Sequence, residues 1–401
     1  MNACVTSAAP GADAPSATAG SGFGECHRWR KYLQAASAVY SELERERAAG
    51  WQSEALDWWY RQRQDGTTAT PATSFGNSDI VRLCERYCEH AGRVLLRAAP
   101  EFFTPSSPAR RDPPLEKAVE AEEWSSPTFL DLGSAPGGVS KFLVSELHWR
   151  GVGVSLPVSH GGIASDVSWL QSPAAAARYE FIEGSITEND WHESIRGRTF
   201  DFVNGGAVQD HGQRSAERRS HDTEADRNRA EVIVSGEVQP VLPWFSFLVP
   251  QLRFAVEHVE EGGAIMLVFG VPQCASLSIL LEKLHPLVHG GIHILETMHL
   301  TKSPVYVLLC GVHVRRDAET RAAWDSVLAL LTQGSKDFWL GETEEGLQLA
   351  KTGFARHQKG LEAVWGKAAS FLRRRRLQAE RAMEVSMNGK RRVKRQRDGA
   401  A

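Results

Sequence analysis

Thr128-Phe-Leu-Asp-Leu-Gly-Ser-Ala-Pro-Gly-Gly-Val-Ser-Lys-Phe-Leu143 is the stretch that decides the fold of this 401-residue chain. Phe129 and Leu130 predict a buried strand, and Asp131 falls at its carboxyl end. In an open α/β sheet, ligands bind at the carboxyl ends of the strands. The sequence therefore predicts a ligand-binding edge directly after Asp131.

A glycine-rich turn and a helix follow this strand. Gly133, Gly137 and Gly138 allow the backbone to turn sharply and to approach a ligand without an intervening Cβ. Apolar residues then recur at the spacing of one helical face, at Val139, Phe142, Leu143 and Leu147. This order predicts a strand, a tight loop and a helix directed at a small, partly anionic ligand. The alternative is a glycine-rich turn of the kind found in many α/β proteins.

The ten residues from Asp131 to Ser140 resemble a known family motif. They are similar to the first motif, D-x-G-x-x-P-G-G-[FW]-[ST], of the FtsJ (RrmJ-like) RNA ribose 2′-O-methyltransferases, which depend on S-adenosylmethionine. In fold terms the resemblance covers roughly residues 127–314. It implies S-adenosylmethionine as the cofactor. The cofactor-binding residues that it implies are Asp131, Gly133, Ser134, Pro136, Gly137, Gly138, Ser155 and Ser185.

Further apolar segments alternate with helical ones and predict the rest of the sheet. The expected strands are 151–156, 179–183, 199–204, 261–269, 291–295 and 304–310. Together with the first strand they predict an α/β protein with a Rossmann-like, doubly wound sheet, flanked by helical N- and C-terminal extensions. The resemblance implies the class I methyltransferase type, in which the last strand is inserted antiparallel.

Two positions at the predicted strand ends depart from what a nucleotide site normally has. The second strand should end in an acid for the ribose hydroxyls, but Ser155, Leu156 and Pro157 stand there. After the third strand, the resembled family places an Asp toward the adenine amine, and this chain has Ser185. A serine still offers one hydrogen bond, so the predicted contact is weakened and not excluded.

The catalytic Lys-Asp-Lys-Glu set of the resembled family is largely replaced. The position of the Asp falls at Gly205 or Gly206, and the strand lysine is replaced by Met266 or Leu267. The acid of the last strand is replaced by Pro304, and the helix 79–98 offers Arg82 and Arg86 in place of lysine. An apolar side chain cannot transfer a proton or stabilise charge. The nearest candidates for catalytic roles are Asp210 and Lys302.

Two functions from different classes follow. The first is an FtsJ-like methyltransferase, with RNA ribose 2′-O as the substrate class that the resemblance implies. The second is a catalytically inactive pseudoenzyme that uses the fold as an RNA- or protein-binding module. A Rossmann dehydrogenase is disfavoured because the glycine spacing differs from G-x-G-x-x-G and the ribose acid is missing.

Composition changes along the chain predict its organisation. An Ala/Ser/Gly/Pro-rich leader precedes an aromatic-rich helical region, whose aromatic residues are expected to pack on the main domain and not to form an RNA-stacking surface. The predicted segments are a disordered leader (1–24), a helical N-terminal region (25–100), a linker (101–126), the methyltransferase-like domain (127–314) with a polar loop (209–237), a helical C-terminal region (315–370) and a basic tail (371–401).

The net charge and the cysteine content limit which partners and which cellular compartment are expected. The net charge of −3 conceals a strongly basic C-terminal tail. This tail predicts either contact with RNA phosphates or a nuclear localisation signal. A nuclear or cytoplasmic protein is therefore expected, with the nucleus favoured. Six cysteines without a secretory signal predict free thiols. Cys84, Cys88 and His90 lack a fourth ligand, so no metal site is predicted. No segment reaches the ~18 apolar residues of a membrane span.

Overall fold

The computed structural model of the protein describes residues 27–64, 77–104, 126–187, 191–208, 241–300 and 304–398. The predicted leader, the 209–237 loop, and the two candidate catalytic residues Asp210 and Lys302 lie outside these ranges. The described segments form a central sheet with helices on both faces.

The sheet has seven strands in the order β3-β2-β1-β4-β5-β7-β6. The strands are β1 Thr128–Leu132, β2 Arg150–Ser155, β3 Tyr179–Glu183, β4 Phe200–Gly205, β5 Val259–Phe269, β6 Ile292–Glu296 and β7 Val305–Val312. Strands β1 to β5 pair in parallel, whereas β7 is antiparallel to both β5 and β6. The predicted doubly wound sheet of the class I methyltransferase type, with an antiparallel last strand, is confirmed.

The observed strands begin and end within about two residues of the predicted ones. The largest difference at a strand start is at β5, which begins at Val259 because Val259 still pairs with Phe200 across an irregularity in the β4–β5 ladder. The register aligns Asp131 of β1 with Gly153 of β2 and with Asn204 of β4. The carboxyl ends of these three strands therefore meet at one edge, directly below the glycine-rich loop.

Helices cover both faces of the sheet. In chain order they are α1 His27–Ala36, α2 Ala38–Trp51, α3 Glu54–Gln64, α4 Asn77–Ala98, α5 Pro100–Phe103, α6 Gly138–Lys141, α7 Pro173–Ala176, α8 Phe245–His258, α9 Ala275–Leu284, α10 Ala318–Gln333, α11 Lys336–Leu340 and α12 Glu344–Asp398. Helix α6 continues as a π-helical turn, Phe142–Glu146, in which the Leu147 N–H donates to the Phe142 carbonyl. Phe142 and Leu143 are buried there, as the helical spacing predicts.

The core divides into two apolar clusters, one on each face of the sheet. On the α4 side, Phe103 stacks on Trp149 at 5.7 Å and meets Phe202 edge-on at 5.3 Å. Phe103 lies in the segment expected to be a linker, but in the structure residues 100–103 form helix α5 and the Phe103 side chain is buried in the core. The other cluster contains the side chains of α8 to α12 and of the N-terminal helices.

The aromatic N-terminal helices bury aromatic side chains, as the helical spacing predicts, but the contacts are with α12 of the C-terminal region and not mainly with the predicted main domain. Trp29 and Tyr40 are buried, and their rings lie 6.1 Å from Phe354 and 5.3 Å from Trp365 respectively. Trp51 and Tyr60 are exceptions, with 84% and 40% of their surfaces exposed. None of the described helices combines the length and apolar character that a membrane span needs.

Helix α12 continues without interruption through residue 371, where the basic tail was expected to begin. The first basic cluster, 373–376, packs against the N-terminal helices. Arg373 and Arg376 pair with Glu46 of α2, at 2.8 and 3.2 Å, and the Arg375 guanidinium lies 5.1 Å from the ring centroid of Trp59 in α3. Three of its four arginines therefore tie α12 to the rest of the protein.

Candidate functional site

The glycine-rich loop is held in one conformation by its backbone. Gly133 and Gly137 have φ values of +79° and +106°, in the left-handed region that favours glycine. The N–H groups of Gly133 and Ser134 both donate to the Val154 carbonyl of β2, at 2.8 and 3.0 Å. The Gly137 N–H donates back to the Ser134 carbonyl at 2.7 Å. The loop is thus a preformed turn anchored to the neighbouring strand.

Asp131 lies under this loop, with only 1% of its surface exposed. Its carboxylate accepts hydrogen bonds from the Ser140 hydroxyl at 2.6 Å and from the Asn204 amide at 2.7 Å. Burial raises the pKa of Asp131 to about 6, although both hydrogen bonds act in the opposite direction. The carboxylate therefore joins β1, α6 and β4. Its predicted contact with a cofactor stays a prediction.

Gly138 has a different neighbour from the one that the sequence predicts. A Cβ at this position would lie 2.3 Å from the Tyr87 Cβ and 2.5 Å from the Cys84 carbonyl oxygen, both in α4. The space beside Gly138 is filled by a helix of the protein itself, which sequence periodicity could not place there. Gly133 is similarly close to backbone, with Ala207 Cα 2.5 Å from its ideal Cβ.

Two buried polar atoms around the loop have no hydrogen-bond partner among the described residues. They are Asn204 Oδ1 and Asp166 Oδ2. The Asp166 N–H donates to the Pro136 carbonyl at 2.9 Å, so the chain after β2 folds back onto the loop. Leaving such atoms unpaired costs free energy, roughly 1–3 kcal/mol each. The Tyr179 hydroxyl is a hydrogen-bonding neighbour of Ser134, whereas Asn204 Oδ1 offers hydrogen-bonding capacity that the described residues do not use.

The ends of β2 and β3 carry groups suited to a nucleoside. Leu156 and Val158, after β2, are 38% and 47% exposed. Glu183, the last residue of β3, is exposed and stands opposite Ser155 in the β2–β3 register. Glu183 is not predicted from the sequence, because the acid that binds a ribose is expected at the end of β2. The parallel pairing brings the end of β3 beside that position.

Ser185, a predicted cofactor-binding residue, makes hydrogen bonds with residues close to it in the chain. Its hydroxyl lies 2.9 Å from the Thr187 hydroxyl, and its carbonyl accepts a 2.7 Å hydrogen bond from the Trp191 indole. Ser155 is buried at the end of β2. The structure thus brings Ser155 to the same sheet edge as Ser134. Ser185 lies in a turn that the Trp191 ring braces.

The catalytic positions of the resembled family are apolar in the described part of the chain. Met266 and Leu267 in β5 are 1% and 2% exposed and belong to the two core clusters. Gly206 donates its N–H to the Leu132 carbonyl at 2.8 Å, and so continues the β4 pairing past the strand end. On α4, Arg82 pairs with Asp79 at the surface, whereas Arg86 borders a groove.

This groove, of about 970 Å³, lies between α4 and α12, and the segment that follows β6 forms its floor. None of its lining residues belongs to the glycine-rich loop. Because β6 runs parallel to β5, the groove opens at the same carboxyl edge of the sheet as the loop. A second ligand has room in this groove.

Cys84 and Cys88 lie on the buried face of α4, against α6. Burial raises the pKa of Cys84 to about 12 and that of Cys88 to about 11, so both thiols are protonated at neutral pH. The neighbouring His90 is bonded to the Glu296 carbonyl at 2.8 Å. Among the described residues, no three His, Cys, Asp or Glu side chains are grouped as metal ligands.

The sequence matches no family model, and no curated protein matches it. Solved structures do. TrmN from Thermus thermophilus shares 14% identity, with 47% of this chain and 44% of that chain covered and a TM-score of 0.27. S-adenosylmethionine-bound CalS10, an amino pentose methyltransferase from Micromonospora echinaspora, shares 14% identity. The match covers 48% of this chain and 56% of that chain, with a TM-score of 0.24.

An O-methyltransferase family protein from Burkholderia thailandensis shares 15% identity, with 55% of this chain and 57% of that chain covered and a TM-score of 0.25. The matched region spans about half the length of these structures. The fold is assigned from the sheet topology and not from these comparisons. The order β3-β2-β1-β4-β5-β7-β6, with β7 alone antiparallel, gives the chain the class I methyltransferase fold.

Proposed function

We propose that the protein binds S-adenosylmethionine at the glycine-rich loop and transfers its methyl group to a substrate at the carboxyl edge of the sheet. One observation carries this proposal. The loop holds Gly133 and Gly137 in left-handed conformations over the buried Asp131 network, and Asn204 Oδ1 beside it has no partner in the described part of the chain. A preformed loop with an unused polar atom at the end of β4 fits a ligand that has polar groups at one end.

The cofactor would be held by residues from four strand ends. Ser134 and Asn204 would bind its amino-acid end, the exposed Leu156 and Val158 would pack on its adenine, and Glu183 would accept hydrogen bonds from its ribose. When bound, the cofactor supplies an electrophilic methyl group. The chain's own contribution is to bind and orient the reactants, since apolar side chains occupy the middle of β5.

The likeness of residues 131–140 to the FtsJ motif supports RNA ribose 2′-O as the substrate class. Met266 and Leu267 cannot take a proton from a hydroxyl, so a proton acceptor would have to come from elsewhere. Asp210 and Lys302 stay the candidates for this role. In the sequence, Asp210 follows β4 and Lys302 precedes β7.

Calorimetric titration of the full chain with S-adenosylmethionine tests the binding step. We expect saturable binding that weakens about tenfold in Glu183→Gln, because one charged hydrogen bond is removed. Glu180→Gln, on the same strand, is the matched control and should bind as the wild type does. A wild-type chain that shows no heat of binding would refute the proposal.

A transfer assay then separates the two functional classes. Full chain and methyl-labelled cofactor are incubated with total RNA or with total protein, and the label in each polymer is counted. Label in RNA that is lost in Asp210→Ala or Lys302→Ala would support the methyltransferase with those residues in the site. Cofactor binding without transfer to either polymer would support the non-catalytic alternative.

A further inference from the structure

We propose that the protein forms a two-fold symmetric dimer through the end of α12 and the turn between α2 and α3. The partner is a second copy of the chain. None of the residues involved belongs to the glycine-rich loop, and the proposal requires neither cofactor binding nor methyl transfer. The length of α12, the exposed apolar side chains near its end and the order of charges along it each support the dimer.

Helix α12 extends beyond the helices that pack on it. The contacts between α2 and α12 advance in the same direction along both helices, from Ser37 with Glu362 at 2.7 Å to Glu46 with Arg376 at 3.2 Å. The two helices are therefore parallel. Helix α2 ends at Trp51, five residues after Glu46, so its end lies about five residues past Arg376 along α12. Because α12 continues for about 17 residues more, it extends roughly 25 Å beyond α2.

Helix α3 returns along α12 in the opposite direction. Only two residues separate α2 from α3, so the first turn of α3 lies at the end of α2. Further along α3, the rings of Trp59 and Tyr60 lie 5.1 and 4.9 Å from the guanidinium of Arg375 on α12. The acidic residues of the first turn, Glu54 and Asp57, are exposed. The α2–α3 hairpin thus presents negative charge near its tip, beside α12.

The side of α12 that faces the hairpin stays apolar past the tip of the hairpin. Ala379 is fully buried, and after it no side chain up to Asn388, the last one that the structure describes, is buried. Met383 and Met387 follow Ala379 at intervals of four residues, so they lie on the same side of the helix. Met387 is 51% exposed, and Trp51 at the tip of the hairpin is 84% exposed. Exposed side chains of this kind at the end of a buried helical stripe indicate a surface that another protein covers.

The order of charges along α12 is self-complementary. The last nine residues of the helix, 390–398, contain six Lys or Arg and one acid. Along α12 the molecule therefore presents the acidic first turn of α3, then the apolar Trp51 and Met387, then a basic segment. When a second copy runs antiparallel, the basic segment of each copy meets the acidic turn of the other, and the apolar side chains meet near the two-fold axis. Every contact in this arrangement occurs twice.

A second copy fits this surface better than other partners do. A nucleic acid or a uniformly acidic protein would meet Glu54 and Asp57 as like charges, and its phosphates or carboxylates would not cover the apolar side chain of Met387. A parallel dimer would place the two basic segments side by side, which is unfavourable for the same reason. The antiparallel pairing of two copies is the arrangement in which all three parts of the surface find a complement.

Sedimentation equilibrium of the full chain without cofactor measures this dimer. We expect a reversible equilibrium between monomer and dimer. Trp51→Ala and Met387→Glu should each weaken dimerisation by about tenfold or more, because each change occurs twice in the dimer. Val385→Glu is the matched control, since Val385 is 73% exposed on the same helix but lies about 200° around the helix from Met387. It should dimerise as the wild type does.

Charge reversal tests the antiparallel arrangement. Glu54→Lys with Asp57→Lys should weaken the dimer, because two acids that face the basic segment become basic. Lys390→Glu with Arg391→Glu should weaken it for the converse reason. The chain that carries all four changes should dimerise more tightly than either double variant, since opposite charges face each other again. Losses that add without any such recovery would overturn the arrangement.

Three results would overturn the dimer itself: a wild-type chain that stays monomeric up to about 100 μM, unchanged dimerisation when Trp51→Ala and Met387→Glu are combined, or equal weakening by Val385→Glu. The changed side chains are exposed, so the thermal midpoints of the dissociated variants should match that of the dissociated wild type. This comparison separates a loss of dimerisation from a loss of folding.

Discussion

The Asn204 amide donates a 2.7 Å hydrogen bond to the Asp131 carboxylate, directly across the β1–β4 pair at the edge of the sheet. Both residues are more than 95% buried. A carboxylate in this position is expensive unless it is hydrogen-bonded. The contact therefore couples the stability of the sheet edge to the shape of the loop above it.

Removing one partner of this pair should lower the stability by more than the energy of the hydrogen bond, because the other partner stays buried with one hydrogen bond fewer. We expect Asn204→Ala to lower the free energy of unfolding by about 1–3 kcal/mol, because Asp131 would lose the Asn204 amide and keep only the hydrogen bonds from Ser140 among the described residues. Urea denaturation of Asn204→Ala, Asp131→Ala and the double variant measures the coupling. A double variant whose loss equals the sum of the single losses would show that the two residues do not interact energetically.

Gly138 should be required for folding and not only for ligand binding. Gly138→Ala places a Cβ against the backbone of α4, so we expect a loss of stability of several kcal/mol, seen as a lower thermal midpoint. Gly270→Ala is the control, because no atom lies within 4 Å of its ideal Cβ and its φ is not left-handed. Equal thermal midpoints for Gly138→Ala and the wild type would contradict the close packing of α4 on α6.

Glu296 should make the protein sensitive to acid. Its pKa is lowered from its ordinary 4.5 to about 2: burial acts to raise it, but the hydrogen bonds from Arg97 and Lys367 outweigh burial. An acid whose pKa is lowered in the folded state stabilises the fold at any pH above its unfolded pKa. This stabilisation is lost as the pH falls from about 4.5 to about 2. Glu296→Gln should therefore be less stable at pH 7 by roughly 1–3 kcal/mol. It should also lose less stability than the wild type between pH 5 and pH 2.5 in thermal melts.

Arg375 should hold α3 against α12. Its guanidinium lies over the rings of Trp59 and Tyr60, at 5.1 and 4.9 Å from their centroids. Arg375→Ala should raise amide hydrogen exchange in α3 severalfold, in line with a cation–π contribution of about 0.5–1 kcal/mol. The neighbouring Arg374→Ala, which removes a groove residue and no such contact, should leave exchange in α3 unchanged. Equal exchange in α3 for both variants would argue against a stabilising contact of Arg375 with Trp59 and Tyr60.

Nuclear accumulation should depend on the second basic cluster alone. The sequence predicts a signal from both 373–376 and 390–395, but three arginines of the first cluster are bound to α2 and α3. Neutralising residues 390–395 in a tagged chain should therefore abolish any nuclear enrichment, and Arg374→Gln should not. Retained enrichment after neutralisation would remove the 390–395 cluster as a signal.

The sequence was most informative where residues adjacent in the chain act together. Apolar runs of strand length predicted every strand of the sheet to within about two residues, and the alternation with helices predicted the doubly wound class. The left-handed glycines at 133 and 137 follow from a local demand on φ, which the residue type itself satisfies. The helical spacing of Trp29, Leu33 and Tyr40 similarly predicted a buried face.

Contacts between distant segments were decided only by the tertiary structure. The packing of α4 against Gly138, the register that places Glu183 beside Ser155, and the pairing of Arg373 with Glu46 each join residues dozens to hundreds of positions apart. Periodicity reports which face of an element is apolar, but not which partner covers it. The sequence by itself therefore determined the elements and the loop, because these depend on local backbone preference and hydrophobic pattern. Only the folded chain decided which groups surround the loop and the groove, since that depends on how the elements pack.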